Sequence, residues 1–121
     1  MHNFQTDWLG KWAYYTPEKF FLREHDRDIK WSFREFNNCT NSLSNYIKDD
    51  LKIGIGERIA VYSKNRAEYV MLYLACIKIG VILVPLNFRL TPRELNTLIS
   101  DAEPKMFIYE KDYEEQANKI N

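Results

Sequence analysis

The chain has 121 residues, 45% hydrophobic and 28% charged, and its 17 Lys and Arg balance 17 Asp and Glu. That length suits one domain with a real core, and the composition excludes disorder as the default state. A net charge of zero argues against a nucleic-acid binder, which carries a strong basic excess.

The start, MHNFQTDWLG, has no basic region followed by an apolar run and reads as lacking a signal peptide. Cys39 and Cys76 are isolated and have no metal-type spacing with His2 or His25, so neither a disulfide framework nor a zinc site is expected. Both cysteines are expected to act as small buried hydrophobes, which fits a reducing, cytoplasmic compartment.

Trp8, Trp12 and Tyr15 fall at helical spacing beside Leu9 and Ala13, as in a short helix packed on the domain. Lys11 is the one basic residue among them, too few for a nucleic-acid stacking surface. Thr16-Pro17 reads as a cap followed by proline at the first position of a helix. Phe20–Arg23 and Ile29–Trp31 are short strands around a charged turn, Glu24–Asp28, and together predict a hairpin. Residues 1–31 thus form a helix and a hairpin ahead of an α/β unit over residues 32–121.

Ser32 and Glu35 make a capping box, in which each side chain satisfies an orphan backbone amide. The helix behind it puts Phe36, Cys39, Leu43, Tyr46 and Ile47 on one face and runs out at Asp49-Asp50. Gly54 and Gly56 mark a turn before the strand Arg58–Ser63. Asn65 and Glu68 are a second cap pair, opening a helix over roughly Arg66–Ile79.

Tyr69–Leu86 contains a single charged residue, Lys78. As one helix it would reach the lower limit of a membrane span, roughly 17–25 apolar residues. Three details favour a buried helix ending near Ile79, followed by the strand Val81–Leu86. Gly80 can end a helix with a left-handed backbone. Val81, Ile82 and Val84 are β-branched and suit a strand. Pro85 cannot donate to a helical ladder and pushes Val84 toward an extended backbone. Lys78 complements the negative end of the helix dipole.

Thr91-Pro92-Arg93-Glu94 combines cap, proline and reciprocal glutamate. Leu95, Leu98, Ile99 and Ala102 then form an apolar stripe. Pro104 stops this helix, Lys105–Tyr109 is a further strand, and Asp112–Ile120 is a weakly patterned final helix. The fold class is therefore α/β: a parallel sheet with covering helices, its connections short, preceded by the N-terminal helix and β-hairpin.

Ligands of such sheets sit beyond the carboxyl ends of the strands, which singles out Ser63–Asn65, Asn87–Leu90 and Glu110–Asp112. None carries a phosphate-cradling glycine loop, and Gly54 and Gly56 precede a strand where a dinucleotide fingerprint follows one. His25 has no Ser or Cys partner in view and reads as a solvated turn residue. Asp49-Asp50 and Glu114-Glu115 read as solvated helix faces, since paired catalytic carboxylates need a cleft. Arg89 stands just past the end of a buried strand, where a guanidinium can reach a phosphate with several donors. A solvated arginine before a helix is the simpler alternative.

The succession W-x-F-R-E-F at Trp31–Phe36, G-E-R-I-A-V at Gly56–Val61, N-R-A-E-Y at Asn65–Tyr69 and A-C-I-K-I-G-V-I-L-V-P-L-N-F-R-L at Ala75–Leu90 carries a resemblance. It resembles the N-terminal segment of the AMP-forming acyl-CoA synthetases, the superfamily shared with luciferases and peptide-synthetase adenylation domains. The likeness runs from about Trp8 to Glu110. P-L-N-F-R-L followed by T-P-R-E-L is its most specific piece, and Val81 departs from the alanine common in the family.

The resemblance implies part of a two-step ligase. A carboxylic acid, here expected to be a fatty acid, attacks the α-phosphate of ATP, and coenzyme A then displaces AMP. ATP, coenzyme A and Mg are the parent's cofactors in that picture. The family's Ser/Thr/Gly-rich phosphate loop, acidic ribose-binding residue and C-terminal lysine do not occur in these residues, so the resemblance implies a segment that is inactive alone. One position carries over: Arg89 corresponds to an arginine that, in some members, helps hold the nucleotide phosphates of coenzyme A. The other reading is a free-standing, non-catalytic α/β binding or interaction module. Val70, Met71, Leu72, Leu74, Ala75, Cys76, Ile77 and Ile79 point in nearly every direction around their helix. One sheet covers one side, and the resemblance implies that another layer of the parent domain covers the other. In an isolated segment several of them are therefore expected to lie open to water and to drive self-association, whereas a free-standing module would cover the helix from within.

Overall fold

The computed structural model describes residues 7–24, 27–64, 66–87 and 89–118. It begins with helix α1, Trp8–Tyr15, capped by Asp7, whose carboxylate accepts from the Gly10 amide at 2.9 Å. Thr16 closes this helix and opens none. Its amide and its hydroxyl both donate to the Trp12 carbonyl, and strand β1, Phe20–Glu24, follows after a turn. The expected helix at Thr16-Pro17 is thereby corrected: a threonine that reaches backwards satisfies the last turn of α1, and too few residues remain for a new helix.

β1 pairs antiparallel with β2, Ile29–Ser32, in the expected hairpin. Helix α2, Phe33–Asn45, starts on the predicted capping box of Ser32 and Glu35. It widens at its end into a π-helical turn, Tyr46–Asp50. Phe36, Thr40, Ser44 and Ile47 make its buried stripe. Cys39 and Tyr46, expected on that face, are exposed. Small polar side chains took the inner positions because each finds a partner there. The Thr40 hydroxyl donates to the Phe36 carbonyl, and the Ser44 hydroxyl donates to the Ala75 carbonyl of the next helix. A buried hydroxyl so satisfied costs little.

The sheet follows as strands β3 (Arg58–Tyr62), β4 (Ile82–Leu86) and β5 (Met106–Tyr109), with helix α3 (Ala67–Ile79) between the first two and α4 (Pro92–Ala102) between the last two. All pairings are parallel and the spatial order is β4-β3-β5. A 3-10 turn, Lys111–Tyr113, leads into the short helix α5, Glu114–Asn118. The fold class read from the sequence holds.

The central strand is buried on both faces, and its side chains alternate between two cores. Ile59 and Val61 join Leu72 and Cys76 of α3. Ala60 and Tyr62 join Leu86 and Leu95 of α4, and Tyr62 stacks on Tyr113 with ring centres 4.9 Å apart. β4 is an edge strand, where Pro85 is tolerated because one side of the ladder needs no donor.

The helix–strand reading of Tyr69–Leu86 also holds. Gly80 has φ 74° and ψ 18°, and its amide donates back to the Cys76 and Ile77 carbonyls. Among the described residues no helix is long and apolar enough to cross a membrane.

α3 departs from expectation in its cover. A third core forms around Leu9 of α1, Phe36 of α2 and Ala67 of α3, with Val70, Met71 and Leu74 packed against it. The N-terminal lobe therefore covers the side of α3 turned away from the sheet. Of its large apolar side chains Tyr73 alone is exposed, at 52%. The premise that several of them lie open to water is overturned, and self-association through this helix loses its basis.

Lys78 does more than face a dipole. Its side chain is 8% exposed and pairs with Asp7 at 2.7 Å while donating to Asn37 Oδ1 at 2.8 Å. One ammonium group thus ties α1, α2 and α3 together.

Candidate functional site

The strand order decides where a ligand could enter. The chain leaving β3 turns onto the face that carries α3. The chain leaving β5 turns to the other face, where Tyr113 packs on Tyr62. Adjacent parallel strands whose exits diverge leave a crevice beyond their carboxyl ends. A cavity of about 220 Å³ lies there, walled by Val61, Leu72, Tyr69 and Ile108, with Ser63, Arg66, Glu68, Tyr109 and Glu110 completing its lining.

Charged groups form the rim. Arg66 Nε is paired with Glu110 Oε1, and Arg66 Nη2 lies 3.9 Å from Asp112. The other Glu110 oxygen accepts the Lys64 amide at 3.3 Å. Ser63 Oγ is turned to the Lys64 carbonyl, 2.9 Å away. Burial raises the Tyr69 phenol above its ordinary range.

Glu68 reaches out of the rim to Arg27 in the hairpin turn at 2.7 Å, and Arg27 also pairs with Glu24. That Arg27 contact is the largest cause holding the Glu24 carboxyl below the usual carboxylate range. Glu24 also accepts from the Trp31 indole at 3.2 Å. Arg27 thus links the hairpin to the first turn of α3 through Glu68. Arg66, at the cap position, makes no side-chain cap bond, and Asn65, expected to cap, lies outside the described residues, as does His25.

Arg89 is exposed at the carboxyl end of β4, its amide donating to Asn87 Oδ1 at 2.9 Å. It shares an end of the sheet with the crevice but does not line it, because β3 stands between β4 and β5. Asp49, Asp50, Glu114 and Glu115 are exposed, and among the described residues no three His, Cys, Asp or Glu side chains converge as metal ligands.

Two of the three loops singled out from the sequence border the crevice. Arg66, Glu68 and Tyr69 escaped notice because they lie within the helix or at its first turn. The Arg66–Glu110 pair joins residues 44 positions apart, and no local spacing rule reports such a contact.

Residues 9–121 match a family model described as AMP-binding enzyme. A 2-succinylbenzoate–CoA ligase from Bacillus pumilus is 33% identical over 109 residues, covering 90% of this chain and 22% of that protein. Long-chain-fatty-acid–CoA ligase FadD13 from Mycobacterium tuberculosis is 29% identical over 101 residues, covering 84% of this chain and 20% of that protein. A crystal structure of the N-terminal domain of FACL13 from Mycobacterium tuberculosis superposes with a TM-score of 0.88 at 26% identity, covering 98% of this chain and 30% of that one. The chain spans about a fifth of the length of these curated relatives.

Proposed function

Because this chain belongs to the AMP-binding enzyme family, we propose that it builds the first part of the N-terminal domain of an AMP-forming ligase. That ligase activates a carboxylic acid with ATP to an acyl-adenylate and passes the acyl group to coenzyme A. The observation that carries the reading is the family match across residues 9–121.

The acid proposed is a fatty or other apolar one. FadD13, a long-chain-fatty-acid–CoA ligase, supports that choice, while the 2-succinylbenzoate ligase shows that the acid varies among relatives. Activation by this family's chemistry calls for ATP with Mg²⁺. Among the described residues no three His, Cys, Asp or Glu side chains converge to hold the metal.

Toward coenzyme A the fit is better. Arg89 is exposed, stands at the ligand-binding end of the sheet, and has the fork of donors that phosphate oxygens accept. We assign it the nucleotide phosphates of coenzyme A. A charge-assisted hydrogen bond contributes about 1.5–3 kcal/mol. In the ligase that carries this segment, Arg89→Ala is expected to raise KM for coenzyme A about tenfold or more, with adenylate formation nearly intact. An unchanged KM would return Arg89 to solvent.

These residues alone are expected to form no acyl-adenylate, since they hold no phosphate loop. ATP–pyrophosphate exchange with a panel of fatty acids checks this. Exchange above background by the purified chain would overturn the segment reading.

A further inference from the structure

We propose that the crevice between β3 and β5 is a binding subsite for an uncharged, single-ring aromatic group. The inference goes beyond the ligase reading and does not rest on it. It starts from position: the cavity lies where the exits of neighbouring parallel strands diverge, the place where this architecture receives ligands.

Size comes next. A cavity of roughly 150 Å³ walled by aliphatic and aromatic side chains takes up benzene. The 220 Å³ here leaves room for one ring with a small substituent. The walls suit a ring as well, because Tyr69 and Tyr109 present aromatic surface and Val61, Leu72 and Ile108 present aliphatic surface.

The rim then selects by charge. Arg66 is paired with Glu110 and Glu68 with Arg27, so the charges around the opening already have partners. A carboxylate or phosphate would have to break one of these pairs or bring a charge that neither meets. A neutral ring bearing a hydroxyl meets neither penalty and can hydrogen-bond to the carboxylates or to Ser63.

The test uses the 121-residue chain labelled with ¹⁵N and titrated with phenol, with benzoate as the charged comparator, both at neutral pH. Phenol is expected to give saturable amide shifts at Tyr69, Leu72 and Ile108, with half-saturation on the order of millimolar. Benzoate is expected to bind at least about tenfold more weakly, or 1.4 kcal/mol. Ser63→Phe, which puts a ring into the mouth, is expected to abolish the shifts, whereas Leu98→Phe on the opposite face leaves them unchanged. Intermolecular NOEs from phenol to the Leu72 and Ile108 methyl groups locate the ring in the unmodified chain, whether or not the Ser63 variant folds. No saturation below about 50 mM, equal binding of benzoate, or NOEs only to residues outside the crevice would overturn the proposal.

Discussion

Helices α3 and α4 lie on opposite faces of one sheet, and they are held in different ways. α4 has a clean apolar stripe and a local capping box made by Thr91 and Glu94, yet Leu95 is its one fully buried side chain and Leu98 is 42% exposed. α3 has apolar residues all round, and Arg66 at its cap position makes no side-chain cap bond. Leu72, Ala75 and Cys76 are nevertheless buried, its outer side is covered by α1, α2 and the hairpin, and Glu68 in its first turn pairs with Arg27 of the hairpin. A helix with strong amphipathicity announces which face it buries. How much is buried depends on what the rest of the chain lays over it.

The largest expected effect separates the two helices directly. Leu72→Ala removes a side chain packed between β3 and α3 and is expected to cost about 2–5 kcal/mol. Leu98→Ala is expected to cost under about 1 kcal/mol, because its side chain keeps much of its contact with water. Urea unfolding midpoints with unchanged slopes check both. Equal losses would mean that α4 is covered as fully as α3.

A smaller effect is expected at the end of α3. Gly80 takes a left-handed backbone, which costs a β-carbon-bearing residue about 1–2 kcal/mol, and an added Cβ would approach Ile55 to 3.3 Å. Gly80→Val is expected to destabilise by at least that amount and Gly80→Asn by clearly less. Equal midpoints for the two variants would show that the left-handed turn is not what stops α3.

The smallest effect concerns the ion pair by which the hairpin meets α3. The Glu24 carboxyl is held below its ordinary value of 4.5 in the folded chain, chiefly by Arg27. Its contribution is therefore complete above that ordinary value and is lost as pH falls through the lower, folded one. Glu24→Gln is expected to flatten the pH dependence of the urea midpoint on the acid side of that ordinary value. A variant whose acid-side slope matches the unmodified chain would mean that the Glu24–Arg27 pair contributes nothing.

Cys76 and Cys39 show why burial escaped the sequence. Both sit within helical patterns, and both were expected inside. Cys76 is buried and its thiol is pushed up to about 11 by desolvation, whereas Cys39 is exposed. The two differ in which side of their helix meets a neighbour, and single-residue character says nothing of that.

The sequence by itself determined the elements whose causes are local. The Ser32–Glu35 and Thr91–Glu94 boxes, the turn at Gly80 and the three β-branched strands were legible because a cap, a left-handed backbone and a pleated strand each involve residues a few positions apart. The family resemblance likewise rested on contiguous motifs. Tertiary structure alone decided the rest. It laid the N-terminal lobe over α3, drew Lys78 to Asp7 and Asn37, joined Arg27 of the hairpin to Glu68 at the start of α3, and brought Arg66 to Glu110 at the mouth of a crevice. Each of those contacts joins residues tens of positions apart. Their free energy comes from mutual desolvation and charge pairing once the strands are in order, and the periodicity of one element carries no record of the surface another will present to it.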